Sequence, residues 1–410
     1  MDKRHDRFIA LKYRDFRLLW LGMLVSVIGS QMQIIALNWH VYQLTHSAVA
    51  LGIIGLVRFF PIIIFSLLGG NVADAHNRKK ILLITTISQA VFSGILAYLT
   101  FAGSVSPISI YILTALASVA MSFEMPARQA FTPSLIKKEH LANAMSLNMI
   151  MWQIAMIVGP MVGGFIIAQL GIGSVYAFNA FSFVAVVFAL ILIRKTGAIE
   201  GVPSPISIHS IKEGLVFVKE KTIIWSTMLL DFFSTFFASA TALLPIFADT
   251  ILHVGPQGLG LLYAANALGA VVAGFTVAHI GTIKRQGVVL LLSIAFYGLA
   301  TILFGISHWF LLSFFALALV GVGDGISTII RNTIRQLETP DYIRGRMTSV
   351  NMIFFMGGPQ LGEFQAGLLA SFLTAPVAVA IGGTGTLIVV GIIALTVPVL
   401  RRYNNHLTHS

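Results

Sequence analysis

Charged residues are scarce in this sequence. Only 10% of its 410 residues are Asp, Glu, Lys or Arg, whereas 57% are hydrophobic. A soluble chain carries about 25% charged residues, so the composition argues against a soluble protein. Apolar runs of about 20 residues, long enough to cross a bilayer as helices, recur along the whole length. The predicted fold class is therefore an all-α membrane protein.

Cysteine and nucleotide-binding motifs are absent as well. With no cysteine, disulfide bonds are excluded and the redox compartment cannot be inferred. The sequence has no Gly-Lys-Ser/Thr phosphate loop, which argues against an ATP-driven pump, and no His-Glu-x-x-His zinc motif. We find no other catalytic constellation, so we expect neither an enzyme nor a bound cofactor or metal.

One stretch of the chain occurs twice. Residues 124–164 align without a gap on the residues 203 positions later, so that Arg128 matches Arg331 and Gly159 matches Gly362. Each copy is an apolar run, a short charged turn and a second apolar run. A repeat at half the chain length indicates a duplicated unit of membrane helices, an arrangement found in many secondary transporters.

Twelve apolar spans are predicted, in two sets of six. A segment with Pro203 and Pro205 separates the sets, and an amphipathic pattern typical of a helix at the membrane surface follows it. We expect an N-terminal half at 1–194, a cytoplasmic linker with that helix at 195–221 and a C-terminal half at 222–410. The spans are roughly 16–44, 49–73, 79–102, 107–130, 141–170, 172–194, 222–251, 257–280, 286–306, 309–333, 345–373 and 376–400.

Basic residues mark one side of the predicted membrane. With both termini in the cytoplasm, every Lys and Arg except Arg58 falls in or beside a cytoplasmic connection, a tail or the linker. This follows the positive-inside rule and predicts a multi-pass protein of the inner (plasma) membrane. The net charge of +11 is thus explained by topology, and we expect no nucleic-acid partner.

Two motifs resemble those of the major facilitator superfamily. The loop GNVADAHNRKK, from Gly70 to Lys80, resembles its signature loop, with Asp74 and the basic residues in place and Asn77 where a glycine is usual. GPMVGG, from Gly159 in span 5, resembles a motif of its proton-coupled antiporters. EMPARQ at 124–129 resembles the branch with the enterobactin exporter and drug-efflux proteins. The resemblance implies twelve transmembrane helices in two pseudo-symmetric six-helix halves, the fold of that superfamily.

The resemblance also implies gates. Asp74 is expected to pair at the inner side with basic residues, Arg78 or Arg128, although Arg128 could instead pair with Glu124 one turn away. At the outer side, we expect Arg58 and Glu363 to form an ion pair, because an arginine inside a membrane span needs a partner. The outer seal is expected to involve Gly159, Pro160 and Gly163, packed against Gly269 and Gly274 of span 8; ordinary small-residue packing would also explain these glycines.

Two acids in predicted cavity helices are the candidates for coupling. Asp231 in span 7 and Asp324 in span 10 lie at matching depth, and Arg331 is two turns from Asp324, too far for an easy direct pair. We expect Asp324 to carry the proton, with Ser327 and Thr328 leading water to the cytoplasm, and Asp231 to bind substrate. The alternative is that one of the acids has a structural role.

Span 1 offers two polar pairs, Gln31 with Asn38 and Gln33 with His40. Residues 31 and 33 point about 200° apart, so only one pair can face a cavity. We expect Gln31 and Asn38 to face it and His40 to be packed.

The predicted function is a monomeric proton antiporter that exports a small organic molecule, such as a drug-like compound or a siderophore. Alternatives are a divalent-metal transporter using the two acids and Met side chains, and a non-transporting membrane sensor.

The orientation can be tested by reporter fusions. Because the basic residues place both termini in the cytoplasm, we expect fusions at Ser47, Ser104 and His253 to report an external location. Fusions at Ala75 and Ser204 should report an internal one. The inverse pattern would contradict the predicted topology.

Overall fold

A computed structural model describes residues 8–197, 208–281 and 283–404 of the chain, and the described residues form helices and connecting turns without a strand. Long uninterrupted apolar sequences produce these helices. In a helix, the backbone N–H and C=O groups form hydrogen bonds with each other, and a segment that is apolar on all faces has no polar face that would need water. The helices are α1 (Arg14–Thr45), α2 (Ala48–Ala75), α3 (Arg78–Phe101), α4 (Pro107–Phe131), α5 (Leu141–Leu170), α6 (Ile172–Leu192), α7 (Ile208–Glu220), α8 (Thr222–Phe237), α9 (Leu244–Ile246), α10 (Gly255–Ile280), α11 (Gln286–Gly305), α12 (Phe310–Glu338), α13 (Arg344–Phe372), α14 (Ala375–Thr396) and α15 (Pro398–Arg401).

Each of the twelve predicted spans has a helix. Within the described residues, eleven segments are long and apolar enough to cross a membrane. The helix that does not reach this composition is α13, which is 29 residues long but carries Asn351, Gln360, Glu363 and Gln365. The expectation of an all-α membrane protein is confirmed.

The contacts divide the chain into two compact units. The first unit comprises Met1–His40 and Phe60–Ile206, and the second comprises Val41–Phe59 and Ser207–Ser410. The first part of α2 thus groups with the second unit, because Gly52 on α2 lies against the backbone of α13. The predicted linker falls partly outside the described residues, which resume at the start of α7.

The first unit packs around the ends of its helices. One buried cluster combines apolar side chains of α1, α2, α3, α4, α5 and α6. Backbone and polar ties join the same region: Asn77 accepts a hydrogen bond from the Lys80 N–H and so caps α3, while its amide donates to the Thr196 carbonyl. The cap that holds the start of α3 is therefore Asn77.

The second unit contains the amphipathic helix. Phe217 and Val218 of α7 are buried in a cluster with residues of α8, α11, α12, α13 and α14. Gly214 of α7 lies against the backbone of Arg346, and Arg346 forms an ion pair with Glu213. This helix was predicted to rest on the membrane surface, and the structure packs one side of it against the start of α13.

Span 7 is interrupted, whereas the sequence predicted a continuous helix over 222–251. The helix α8 ends at Phe237, and a 3-10 turn, α9 and a π-helical turn at Phe247–Ile251 follow. Hydrogen bonds tie the break to neighbouring helices, because Tyr297 of α11 donates to the Ala238 carbonyl and Ser239 of the break donates to the Pro359 carbonyl of α13. Interrupted membrane helices occur where the surrounding protein satisfies the released backbone groups.

Two glycines of α10 give a matched test of the packing between α10 and α12. A Cβ at Gly269 would collide with the Ala318 carbonyl of α12, whereas a Cβ at Gly274 would meet no atom within 4 Å. We expect Gly269→Ala to cost about 1–3 kcal/mol of stability through overpacking. Gly274→Ala should be neutral or slightly stabilising, because alanine favours the helix. Thermal unfolding of the two purified variants compares them, and equal midpoints would contradict the α10–α12 contact.

Candidate transport site

A polar stripe on α12 leads from Asp324 to Arg331. The Arg331 guanidinium donates from Nη2 to the Thr328 hydroxyl at 2.8 Å and reaches the Asp324 carboxylate at 3.5 Å. These residues share one face of the helix, because they are spaced at three, four and seven positions. The side chain of Asp324 is 43% exposed and that of Arg331 only 2%, so the stripe runs from an accessible carboxylate to a buried cation.

A second acid binds the same arginine from α8. The Asp231 carboxylate lies 3.0 Å from Nη1 of Arg331 and 3.3 Å from Nη2 of Arg335, and all three side chains are buried. Arg335 also donates from Nε to the Thr227 hydroxyl at 3.1 Å and from Nη2 to the Thr227 carbonyl at 2.9 Å. We call Asp231, Asp324, Arg331 and Arg335 the charge cluster.

The charge cluster corrects the prediction that the two acids lack an adjacent base. Arg331 is two turns from Asp324, but its long side chain extends back along α12 and contacts both acids. Arg335 was assigned to a cytoplasmic connection, yet it lies buried within the second unit. Thr227 and Asp231 are four residues apart on α8, and Arg331 and Arg335 are four residues apart on α12. These two matched spacings are the sequence signal that could have identified Arg335.

The geometry also separates the roles of the two acids. Both oxygens of Asp231 face arginines, and its side chain is 3% exposed, so a substrate has no access to it. The expectation that Asp231 binds substrate therefore stays a prediction for another conformation, as does the alternative of a structural role. Asp324 retains an exposed side with only one arginine contact, at 3.5 Å.

Arg58 and Glu363 lie close together in the second unit. The Glu363 carboxylate sits against Gly55, 3.1 Å from the position that a Cβ would occupy there, and Arg58 is one turn further along α2. The described residues nevertheless contain no ion pair between Arg58 and Glu363 within 4.0 Å. Nη2 of Arg58 is buried without a hydrogen-bond partner, so the predicted ion pair stays a prediction for another conformation.

Two of the four polar residues of α1, Gln33 and His40, contact other helices of the first unit. Gln33 accepts hydrogen bonds from Ser93 at 2.9 Å and Asn179 at 2.7 Å, so it is used within the first unit. His40 contacts the Tyr176 hydroxyl at 3.2 Å, and both are buried, which agrees with a packed histidine. Gln31 is half-buried beside Gly159, and Asn38 is buried.

The signature loop is bound to the ends of neighbouring helices. Arg78 donates from Nη1 to the Ala130 carbonyl of α4, and Lys79 donates to the Ile193 carbonyl after α6. Arg128 pairs with Glu124 at 3.6 Å, the alternative that the sequence left open. Asp74 has no ion pair among the described residues, so the expected Asp74–Arg128 pair is absent from this conformation.

The glycines of the antiporter-like motif pack against α1. A Cβ at Gly159 would meet Gln31 at 2.6 Å, and one at Gly163 would meet Met32 at 3.0 Å. Since Gly269 of α10 faces α12, the open faces of these glycines are filled by helices of their own units. Close packing of small residues is thus observed within each unit, and the packing of span 5 against span 8 stays a prediction.

Comparisons with known proteins identify the family. The family model described as transmembrane secretion effector matches residues 6–409. The chain belongs to the transmembrane secretion effector family. It is 26% identical over 391 residues to the enterobactin exporter EntS of Shigella boydii, with 95% of this chain and 93% of that protein covered. An EntS protein of Escherichia coli O1:K1 matches with the same identity and coverage.

Solved structures share the fold of this secretion effector. A mutant of the nucleoside transporter NupG superposes with a TM-score of 0.75 at 12% identity, covering 93% of this chain and 100% of that one. A bacterial homologue of the iron transporter ferroportin gives 0.69 at 17%, covering 92% and 98%. Such identities establish the fold alone. The resemblance to the major facilitator superfamily is confirmed, and the homologues are transporters rather than enzymes.

The two acids should differ in their effect on stability. Asp231→Asn leaves two buried arginines without their shared counterion, so we expect a loss of about 3–5 kcal/mol. Asp324→Asn removes one contact of a partly exposed group, and we expect less than about 1 kcal/mol. Thermal unfolding of the purified variants measures both. Equal losses would contradict the arrangement in which Asp231 is the counterion that both arginines share.

Proposed function

We propose that this secretion effector is a proton-coupled antiporter that exports a small organic molecule by alternating access. Its family and its similarity to the enterobactin exporter support export of a small molecule, with a siderophore or a drug-like compound as the substrate class. The alternative of a divalent-metal transporter gains no support, since the described residues contain no group of three or more His or acidic side chains that could hold a metal.

The observation that supports proton coupling is that Asp231 and Asp324 contact the same arginine, Arg331, unequally. Asp231 holds this arginine at 3.0 Å in the interior, whereas Asp324 contacts it at 3.5 Å and is 43% exposed. A proton carrier must be accessible in at least one state and must leave the protein folded in both. Asp324 meets these requirements, and Asp231 provides the fixed charge beside it.

Protonation would change the charge of the cluster by one. With both acids ionised, two carboxylates balance two guanidinium groups; with Asp324 protonated, the cluster carries one net positive charge. Arg331 would then lose an ionic partner but keep Asp231 and Thr328. Because a charge in a region of low dielectric constant acts strongly on its neighbours, this change can bias α12 between two arrangements.

Residues outside the charge cluster are proposed as gates and substrate contacts. At the inner side, Asp74 is free to take a cation such as Arg128 when the Glu124 pair opens. Elsewhere, Arg58 has a buried donor available for Glu363 when the two helices shift. Gln31, half-buried on α1, is the proposed polar contact for the substrate.

We further propose that the protein lies in the inner membrane with cytoplasmic termini and acts as a monomer. The distribution of basic residues supports the orientation. The described part of the chain has basic residues at the start of α3, at the end of α12 and at the start of α13, which would all lie on the cytoplasmic side.

Transport in everted membrane vesicles tests the function. We expect a proton gradient to drive uptake of at least one compound from a panel of siderophores and lipophilic drugs. Asp324→Asn should abolish gradient-driven transport, because it removes the proposed proton carrier, while compound binding to the purified variant is retained.

The matched control is Glu363→Gln, which neutralises the acid of α13 that does not contact the charge cluster. It should slow transport without removing its dependence on the gradient. Gradient-driven transport by the Asp324→Asn protein at the original rate would contradict the assignment. Gradient-independent transport by the original protein would contradict antiport itself.

A further inference from the structure

The molecular surface of the first unit contains an open groove of about 330 Å³. It lies between the end of α2, the first half of α3 and the middle of α4. Its lining is apolar and includes Val72, Ile84, Phe92, Leu116 and Phe123. The two hydroxyl groups in it, those of Thr85 and Ser88, donate to carbonyls of their own helix. The groove therefore offers a ligand almost no hydrogen-bonding group.

The position of the groove indicates what fills it. It lies on membrane-crossing helices, with Ile84 66% and Leu116 43% exposed. From Ile81 to Phe92, α3 rises about 17 Å, close to half of the 30 Å hydrocarbon core. An open apolar groove at that depth in a bilayer is filled by the surrounding acyl chains, and its length matches one leaflet.

A cation extends the same face beyond the groove. Lys80 is one turn before Ile84 on α3, is exposed and has no ion pair in the described part of the chain. Its backbone N–H, and not its side chain, serves the Asn77 cap. Residues one turn apart share a helix face, so the Lys80 side chain continues the face of α3 that lines the groove.

The nearby acids do not oppose this charge. Asp74 is two residues from Val72, which places it about 200° around α2 from the groove. Glu124 follows Phe123, and it is bound by Gln89 at 2.7 Å and by Arg128 at 3.6 Å. The groove thus has a basic end, which the positively charged N-terminus of α3 reinforces.

We propose that this groove is a binding site for an anionic phospholipid, with an acyl chain along α3 and α4 and the phosphate at Lys80. The apolar lining excludes a polar ligand, and the exposed cation Lys80 selects the headgroup. The proposal is independent of the transport mechanism.

Quenching of a tryptophan placed in the groove tests the site. Leu116→Trp puts an indole in the lining, and the five native tryptophans are all outside it. The protein is reconstituted in dioleoylphosphatidylcholine vesicles containing a fixed fraction of acyl-brominated phosphatidylglycerol or, in parallel, acyl-brominated phosphatidylcholine. We expect the groove indole to prefer phosphatidylglycerol about fivefold, the effect of one lysine at a membrane surface.

Three variants make the result specific. Lys80→Gln in the Leu116→Trp background should abolish the preference, and the helix cap is retained because it uses only the backbone. Lys284→Gln, which removes an exposed cation of the second unit, should leave it unchanged. Tyr98→Trp, near the far end of α3, should show no preference. Equal quenching by both lipids at Leu116→Trp, or a preference that survives Lys80→Gln or is lost equally with Lys284→Gln, would overturn the proposal.

Discussion

The carboxylate of Asp231 holds two arginines of α12 inside the second unit, and the candidate site depends on that interaction. Taking a guanidinium group out of water is costly, and two of them on one helix also repel each other. Asp231 offsets this cost by placing one oxygen against each arginine, at 3.0 and 3.3 Å, while Thr227 and Thr328 accept further hydrogen bonds. With Arg331 fixed in this way, Asp324 can gain or lose its proton without leaving the helix unsupported.

Close backbone contacts keep the helices in register for this arrangement. Gly321 of α12 lies against the Asn266 carbonyl of α10, and Gly269 of α10 lies against Ala318 of α12. Small residues on both helices allow this approach, since any larger side chain would separate them. The first unit uses the same device between α1 and α5, where Gly159 and Gly163 contact Gln31 and Met32. Both units thus rely on close helix packing at small residues.

The sequence predicted the helices well, because apolar runs of membrane length have few alternatives. It did not predict the partners of polar side chains. Arg335 was interpreted as a topological charge, since spacing along a helix says nothing about a carboxylate on another helix. Asn77 was noted as a departure from a motif, whereas it caps α3.

The break after Phe237 depends on hydrogen bonds from Tyr297 and Ser239 that no local pattern encodes. Long side chains misled the prediction in the same way, because Arg331 spans the two turns that separate it from Asp324.

We propose that Asp324, and not another acid of the membrane helices, changes its protonation state during transport. Infrared difference spectroscopy of the reconstituted protein measures this directly, because a carboxyl group that gains or loses a proton changes its C=O stretching band. We predict that adding a transported compound produces a carboxyl band change in the original protein and in Glu363→Gln, and that this change is missing in Asp324→Asn although the compound still binds. The same band change in Asp324→Asn would contradict the account.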